Sequence, residues 1–240
     1  MKWILGAMLA LGLGGCNQLD YTLVRGSGPV IEQRHGLGQQ VIRVEAAVPA
    51  SIHLKAGEQR GIVIRGQEDL LPYLVLTERD DTLEMKVRDG YRFELSEPID
   101  IDITLPRVEA LALAGLARGD LSGFKGNELV LSVAGLGDIV ADRLEVNRLE
   151  GNVAGAGSLA LGQGSAREIE LNVAGAGGVS GEGFEGREVE VNIAGSGDVK
   201  VRASGQLKIG IAGAGSVGYW GDPALTSEIA GSGRVSRLGG

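Results

Sequence analysis

Ile169-Glu170-Leu171-Asn172-Val173-Ala174-Gly175 comes back one stretch later as Val189-Glu190-Val191-Asn192-Ile193-Ala194-Gly195. Within each copy the apolar residues alternate with polar ones, the period-two pattern of a strand with one buried face. Val189, Val191 and Ile193 face one way; Glu188, Glu190 and Asn192 face the other. The Ala–Gly pair that closes the strand occurs seven times, at Ala114, Ala134, Ala154, Ala174, Ala194, Ala212 and Ala230, with spacings of 20, 20, 20, 20, 18 and 18 residues. A fixed period of this size marks a solenoid in which each repeat is one coil stacked on the last.

After each Ala–Gly pair a second strand begins, with Ile139, Leu159, Val179, Val199, Val217 and Val235 in one column. A third column holds Phe124, Leu144, Gly164 and Phe184 and is expected to plug a corner of the coil. Like residues repeat at like positions, so the coils are expected to stack in parallel and in register, seven of them spanning about 34 Å. The chain has 41 glycines, and 13 of them fall in the two Gly columns of the motif. A sharp corner needs either positive φ or close backbone approach, which glycine supplies. The fixed Ala is expected to sit in a crowded interior beside that corner.

Residues 39–109 are rich in strand patterns without a clean repeat, for example Val41-Ile42-Arg43-Val44 and Ile99-Asp100-Ile101-Asp102-Ile103, and are broken by Pro49, Pro72, Pro98 and Pro106. They are expected to form irregular first coils or a cap, because a solenoid end exposes an unpaired edge. No segment beyond the leader reads as a helix. The fold class is therefore all-β: a single right-handed parallel β-helix-like solenoid, irregular over 39–109 and regular over 110–240.

The N-terminus reads as a leader. Lys2 precedes the apolar run Trp3 to Leu13, which is too short to span a bilayer as a helix. Leu13-Gly14-Gly15-Cys16 resembles a lipoprotein lipobox. Cleavage after residue 15 would leave Cys16, the only cysteine, to carry the acyl chains that hold the protein on a membrane. By resemblance to known lipoprotein sorting, Asn17 rather than Asp after that cysteine implies the outer membrane in a host that has one. Residues 16–38, with Gly26-Ser27-Gly28-Pro29 and Gly36-Leu37-Gly38, read as a lipidated tether. A net charge of −8 gives no basic face for nucleic acid.

The repeats and the ending together resemble a known family. Val-Ala-Gly-Ala-Gly-Ser, Ile-Ala-Gly-Ser-Gly-Asp and the closing Val217-Gly218-Tyr219-Trp220-Gly221-Asp222-Pro223 look like the auto-transporter adhesin "head GIN" domain over about residues 40–238. The chain carries Ala where family members often have Ser before the first Gly. The resemblance implies a β-helix-like solenoid on an envelope lipoprotein and no catalytic residues.

The candidate chemistry lies on the outward columns. Glu150, Glu170 and Glu190 form one column, and Asn152, Asn172 and Asn192 form a ladder beside it. Stacked like charges repel, so Arg148, Arg167 and Arg187 are expected to neutralise the carboxylates; a divalent cation is the alternative. Asp100 and Asp102 alternate with Ile as a solvated face, and Asp138 and Asp198 read as corner residues. His35 and His53 lie far apart in sequence, have no metal-ligand spacing and read as surface residues. The Gly-x-Gly-Asp runs do not match the calcium-binding nonapeptide, and no helix follows them as in a dinucleotide fingerprint. No cofactor, metal site or catalytic cluster is expected. The leading expectation is a non-enzymatic, lipid-anchored solenoid that binds an envelope protein or glycan. The alternatives are a polysaccharide lyase or hydrolase on a β-helix and a purely structural envelope lipoprotein.

Overall fold

The computed structural model describes residues 21–239. The leader, Cys16 and the first tether residues lie outside them. Nine strands precede the repeats: β1 (Thr22–Arg25), β2 (Val30–His35), β3 (Arg43–Ala47), β4 (Ser51–Ala56), β5 (Gly61–Gln67), β6 (Leu74–Arg79), β7 (Thr82–Val87), β8 (Tyr91–Glu94) and β9 (Asp100–Leu105). Twelve build the coils: β10 (Ala110–Gly115), β11 (Arg118–Ser122), β12 (Lys125–Gly135), β13 (Asp138–Asp142), β14 (Leu144–Gly155), β15 (Ser158–Leu161), β16 (Gly164–Gly175), β17 (Gly178–Gly195), β18 (Asp198–Gly213), β19 (Ser216–Trp220), β20 (Ala224–Gly231) and β21 (Arg234–Gly239). The one helical element among the described residues is a 3-10 turn at Leu71–Tyr73, opened by Pro72.

The coils stack as a parallel β-solenoid. One wall runs through β10, β12, β14, β16, the C-terminal parts of β17 and β18, and β20. The other runs through β11, β13, β15, the N-terminal parts of β17 and β18, β19 and β21. Ala134 lies on Ala114, Ala154 on Ala134 and Ala174 on Ala154, so like sits on like as the period requires. The change from 20 to 18 residues is absorbed by two register shifts between β17 and β18, near Gly181 and Gly186. The core between the walls is mostly aliphatic and forms one cluster from Leu37 to Val217.

The two glycine columns answer the two demands of a corner separately. Gly115, Gly135, Gly155, Gly175, Gly195, Gly213 and Gly231 all have positive φ, from +80° to +132°. The second column is set by proximity: a Cβ at Gly177 would lie 2.5 Å from Val153 Cγ1 and 2.6 Å from the Gly157 carbonyl oxygen. The Ala before each pair does not line the interior. Val133, Val153 and Val173 point inward and are buried, so the next residue along the strand points out. Ala114 to Ala230 form an exposed column. The third column does plug the corner, with Phe124, Leu144 and Phe184 buried.

Residues 43–109 build the N-terminal cap by running against the order of the stack. β3 and β4 form a coil beneath β10 and β11. The chain then moves outward and returns as β7 beneath β3 and β9 beneath β4. β6 pairs antiparallel with β7, and β5 antiparallel with β9. The parallel ladder thus ends in an antiparallel layer that blunts the edge.

The expected tether is partly structured. β1 pairs with β8, and β2 pairs antiparallel with β5 along the outer edge of the cap. Between them, Asp69 Oδ2 accepts from the Ser27 amide (2.8 Å), the Ser27 hydroxyl (2.8 Å) and the Gly28 amide (3.0 Å). The Ser27 hydroxyl, ahead of the backbone amides, holds the Asp69 carboxyl below the usual carboxylate range. Gln67, buried at 3% exposure, donates to the Gly28 carbonyl and accepts from the Ser96 hydroxyl. The glycines that read as flexible linker are the residues that let this turn close: a Cβ at Gly26 would strike Gln67 Oε1 at 2.0 Å. Gln67→Ala should cost about 1–3 kcal/mol in denaturant unfolding, because it removes a buried side chain together with the hydrogen bonds that tie Gly28 to Ser96. An unchanged midpoint would show that this amide does not clamp the turn.

Candidate functional site

The outer face of the first wall carries three columns side by side. Glu128, Arg148, Glu168, Glu188 and Gln206 form the first, and Val130, Glu150, Glu170, Glu190 and Lys208 the second. Ser132, Asn152, Asn172, Asn192 and Gly210 form the third, followed by the exposed Ala column. All project outward because their neighbours Leu149, Leu171, Val191 and Ile209 fill the core.

The asparagines form the expected ladder. Asn192 Nδ2 donates to Asn172 Oδ1 and Asn172 Nδ2 to Asn152 Oδ1, each at 3.2 Å. The same amides turn sideways to the glutamates: Asn152 donates to Glu150 (2.9 Å), Asn172 to Glu170 (3.4 Å) and Asn192 to Glu190 (3.3 Å). Both Nδ2 hydrogens of Asn172 and Asn192 are thus engaged within the protein. The face presents spare acceptors, the carboxylate oxygens, far more than spare amide donors.

The expected neutralisation falls to one arginine. Arg148 donates to Glu170, lies 3.4 Å from Glu168 and 3.9 Å from Glu128. Partial burial works against its charge, but the Glu170 and Glu168 carboxylates outweigh that and raise its pKa. Arg167 reaches only Glu168, at 4.0 Å, and Arg187 makes no ion pair among the described residues. Both sit at a bend where the in-out alternation breaks, with Asn147 and Arg148 both turned outward. That phase change places Arg167 and Arg187 beside the first column, away from Glu150, Glu170 and Glu190. Lys208, in register with Glu190, supplies a cation at the far side. Among the described residues no group of three or more His, Cys, Asp or Glu is arranged to hold a metal ion.

The Asn and Ala columns enclose an open trough of about 810 Å³ that runs across the strands from Asn152 to Ala230. Its floor is the methyl groups of Ala154, Ala174, Ala194, Ala212 and Ala230, and its rim is the Asn ladder ending at Glu228. A second hollow of about 310 Å³ continues the line toward the cap over Ala134, Ala114 and Ala47, rimmed by Ser132, Glu45 and Glu84. The feature follows from spacing alone: a methyl-sized residue recurs at one outward position of each coil. Alternation gives its orientation, but the corner glycines beside it make the Ala column read as interior.

The second wall carries a charged cluster. His53 Nδ1 contacts Asp120 Oδ2, and its Nε2 lies 3.8 Å from Asp100 Oδ1, so His53 sits half-buried between two carboxylates. Asp102 accepts from Arg65 (2.5 Å) and Lys55 (3.0 Å), and the Arg65 bond holds its carboxyl below the usual range. These partners lie 37 to 67 residues apart in the chain, on strands that only the cap topology brings together. Asp138 and Asp198 accept from the hydroxyls of Ser158 and Ser216 on the next coil, which makes them coil-to-coil links.

The family model described as "Putative auto-transporter adhesin, head GIN domain" matches residues 42–223. The chain belongs to the head GIN family. Three solved structures share the head GIN fold at low sequence identity. An adhesin described as putative from Bacteroides fragilis is 19% identical with a TM-score of 0.83, covering 90% of this chain and 100% of its own. A second such adhesin, from Parabacteroides merdae, is 20% identical with a TM-score of 0.72 (90% and 99% covered). A protein from Parabacteroides distasonis described as a "Putative lipid binding protein" is 21% identical with a TM-score of 0.74 (90% and 100% covered). No curated protein matches the chain. The expected family and the solenoid architecture both stand.

Proposed function

We propose that this head GIN protein is a non-enzymatic envelope lipoprotein, anchored through Cys16 to the outer membrane, whose trough receives an extended, neutral glycan. The observation that carries the reading is the trough itself. It is long, open along the solenoid axis and floored by an Ala in coil after coil, as a polymeric ligand requires. Glu228 at one end of the rim and the neighbouring Glu150, Glu170 and Glu190 column offer carboxylate acceptors, while the Asn donors are engaged in their own ladder. Such a surface suits a partner rich in hydroxyl donors and repels anionic polymers. The family description as adhesins supports a binding role at the cell surface or envelope.

Ala174→Arg tests the trough. It places a long side chain across an exposed floor position without entering the core. Retention on neutral envelope polysaccharides should weaken by at least about 10-fold, equivalent to ~1.4 kcal/mol, with the unfolding midpoint unchanged. Unaltered retention would remove the trough from the argument. Release of shortened oligosaccharides by the unmodified protein would favour the lyase or hydrolase reading instead.

A further inference from the structure

The two ends of the solenoid differ. The cap closes one end with antiparallel strands, whereas at the other end β20 and β21 pair on one side only. Residues that continue the core columns are uncovered there. Ile229 is 44% and Leu225 41% exposed, while Ile211 and Leu207, directly beneath them, are 3% and 0%. Among the described residues nothing lies over this end. An uncovered strand edge backed by apolar core residues is a template for pairing.

We infer that this end is closed by the same end of a second copy, in an isologous dimer. A two-fold axis across the end reverses the sense in which the second chain winds, so every facing strand pair is antiparallel. With the axis through the corner at Ser232, β20 of each copy meets β21 of the other. Residues equidistant from Ser232 then oppose each other: Ile229 faces the second copy's Val235, and Glu228 faces its Ser236. Charge selects this arrangement. Glu228 is the only ionised side chain of β20, and Arg234 and Arg237 are the only ones of β21. Arg234 of the second copy falls diagonally beside Glu228 on the same face, within reach of a long side chain. Pairing β20 with its own copy would instead offer Glu228 no cation on the facing strand. Symmetry makes the strand pairing and the ion pair twice over, and a salt-bridged, twice-repeated antiparallel edge closes both apolar ends at once. The N-terminal ends then point away from each other.

The test is the mass of the full chain in detergent by light scattering. The expected result is twice the mass of a single chain. Glu228→Arg should halve the mass, because the introduced guanidinium is set against the second copy's Arg234. Glu228→Arg combined with Arg234→Glu should restore the dimer. A monomeric unmodified chain, a dimer that persists in Glu228→Arg, or a double variant that stays monomeric would each overturn the proposal. A second variant does not depend on ion pairing: Glu228→Cys with Ser236→Cys should give a covalent dimer on oxidation, because the two positions oppose each other only between copies. Absence of that covalent dimer, with the chain folded by circular dichroism, would also overturn it.

Discussion

Gly175→Ala should lower the stability of the domain by about 3 kcal/mol or more, although it adds one methyl group to a sequence already rich in alanine. Two independent penalties combine at this position. Its φ of +120° is outside the region an L side chain adopts readily, which costs roughly 1–2 kcal/mol. The new Cβ would also lie 2.4 Å from the Gly155 carbonyl oxygen and 3.2 Å from its carbon. Those atoms are backbone and cannot rotate aside, so the coil has to move, as in an overpacked core at about 1–3 kcal/mol. The Gly155 carbonyl also receives the Ala176 amide at 2.9 Å, so displacing it strains the coil-to-coil ladder. Gly126→Ala is the control. Gly126 lies in β12 with nothing within 4 Å of the added carbon, and its substitution should fall within about 0.5 kcal/mol of neutral. Chemical denaturation of the two variants checks the contrast; equal midpoints would show that the corner does not depend on glycine. Because each coil touches only its neighbours, the Gly175 variant should also unfold less cooperatively, the cap side separating from the C-terminal side.

The same nearest-neighbour logic explains what the sequence discloses. A residue in a coil meets the residue one period away, so Val153, Val173 and Ile193 can be read as a column without any knowledge of the third dimension. Stacking, register, the buried third column and the Asn ladder are all legible on that ground. The cap obeys no such rule. β7 lies beneath β3 although it follows it by nearly forty residues, and the order is fixed by two antiparallel turns that leave no periodic trace. His53 therefore reads as a surface residue in the sequence and meets Asp120 in the fold. The strands β1 and β2 are hidden for a different reason: they are short, flanked by glycines, and no more than half-buried on one side. Glycine there signals close approach to Gln67, not freedom. The outward Ala column reads as interior because the corner glycine beside it signals crowding; strict alternation from Val173 gives the correct side.

Phe184→Ala carries the other large effect, expected at about 3–5 kcal/mol. Phe184 is the largest of the side chains that are fully buried, in a core made mostly of Ile, Leu and Val. Its ring leans into the coil below, where the aligned residue is Gly164. A Cβ at Gly164 would sit 2.6 Å from the Phe184 ring, so the glycine is the space the ring occupies. Deleting the ring therefore opens a cavity spanning two coils, and a rigid parallel ladder on either side limits its collapse. Ring and glycine are not an exchangeable pair: the geometry forbids moving the bulk from one coil to the other. Gly164 has φ of +155°, and its Cβ would also lie 2.4 Å from the Leu144 carbonyl oxygen, a backbone atom that the loss of Phe184 does not move. Phe184→Ala with Gly164→Leu should thus be no more stable than Phe184→Ala alone. A double variant that regains stability in thermal and denaturant unfolding would mean that this corner is held by volume alone. The glycine would then be incidental to the backbone path that turns the chain from the second wall back to the first.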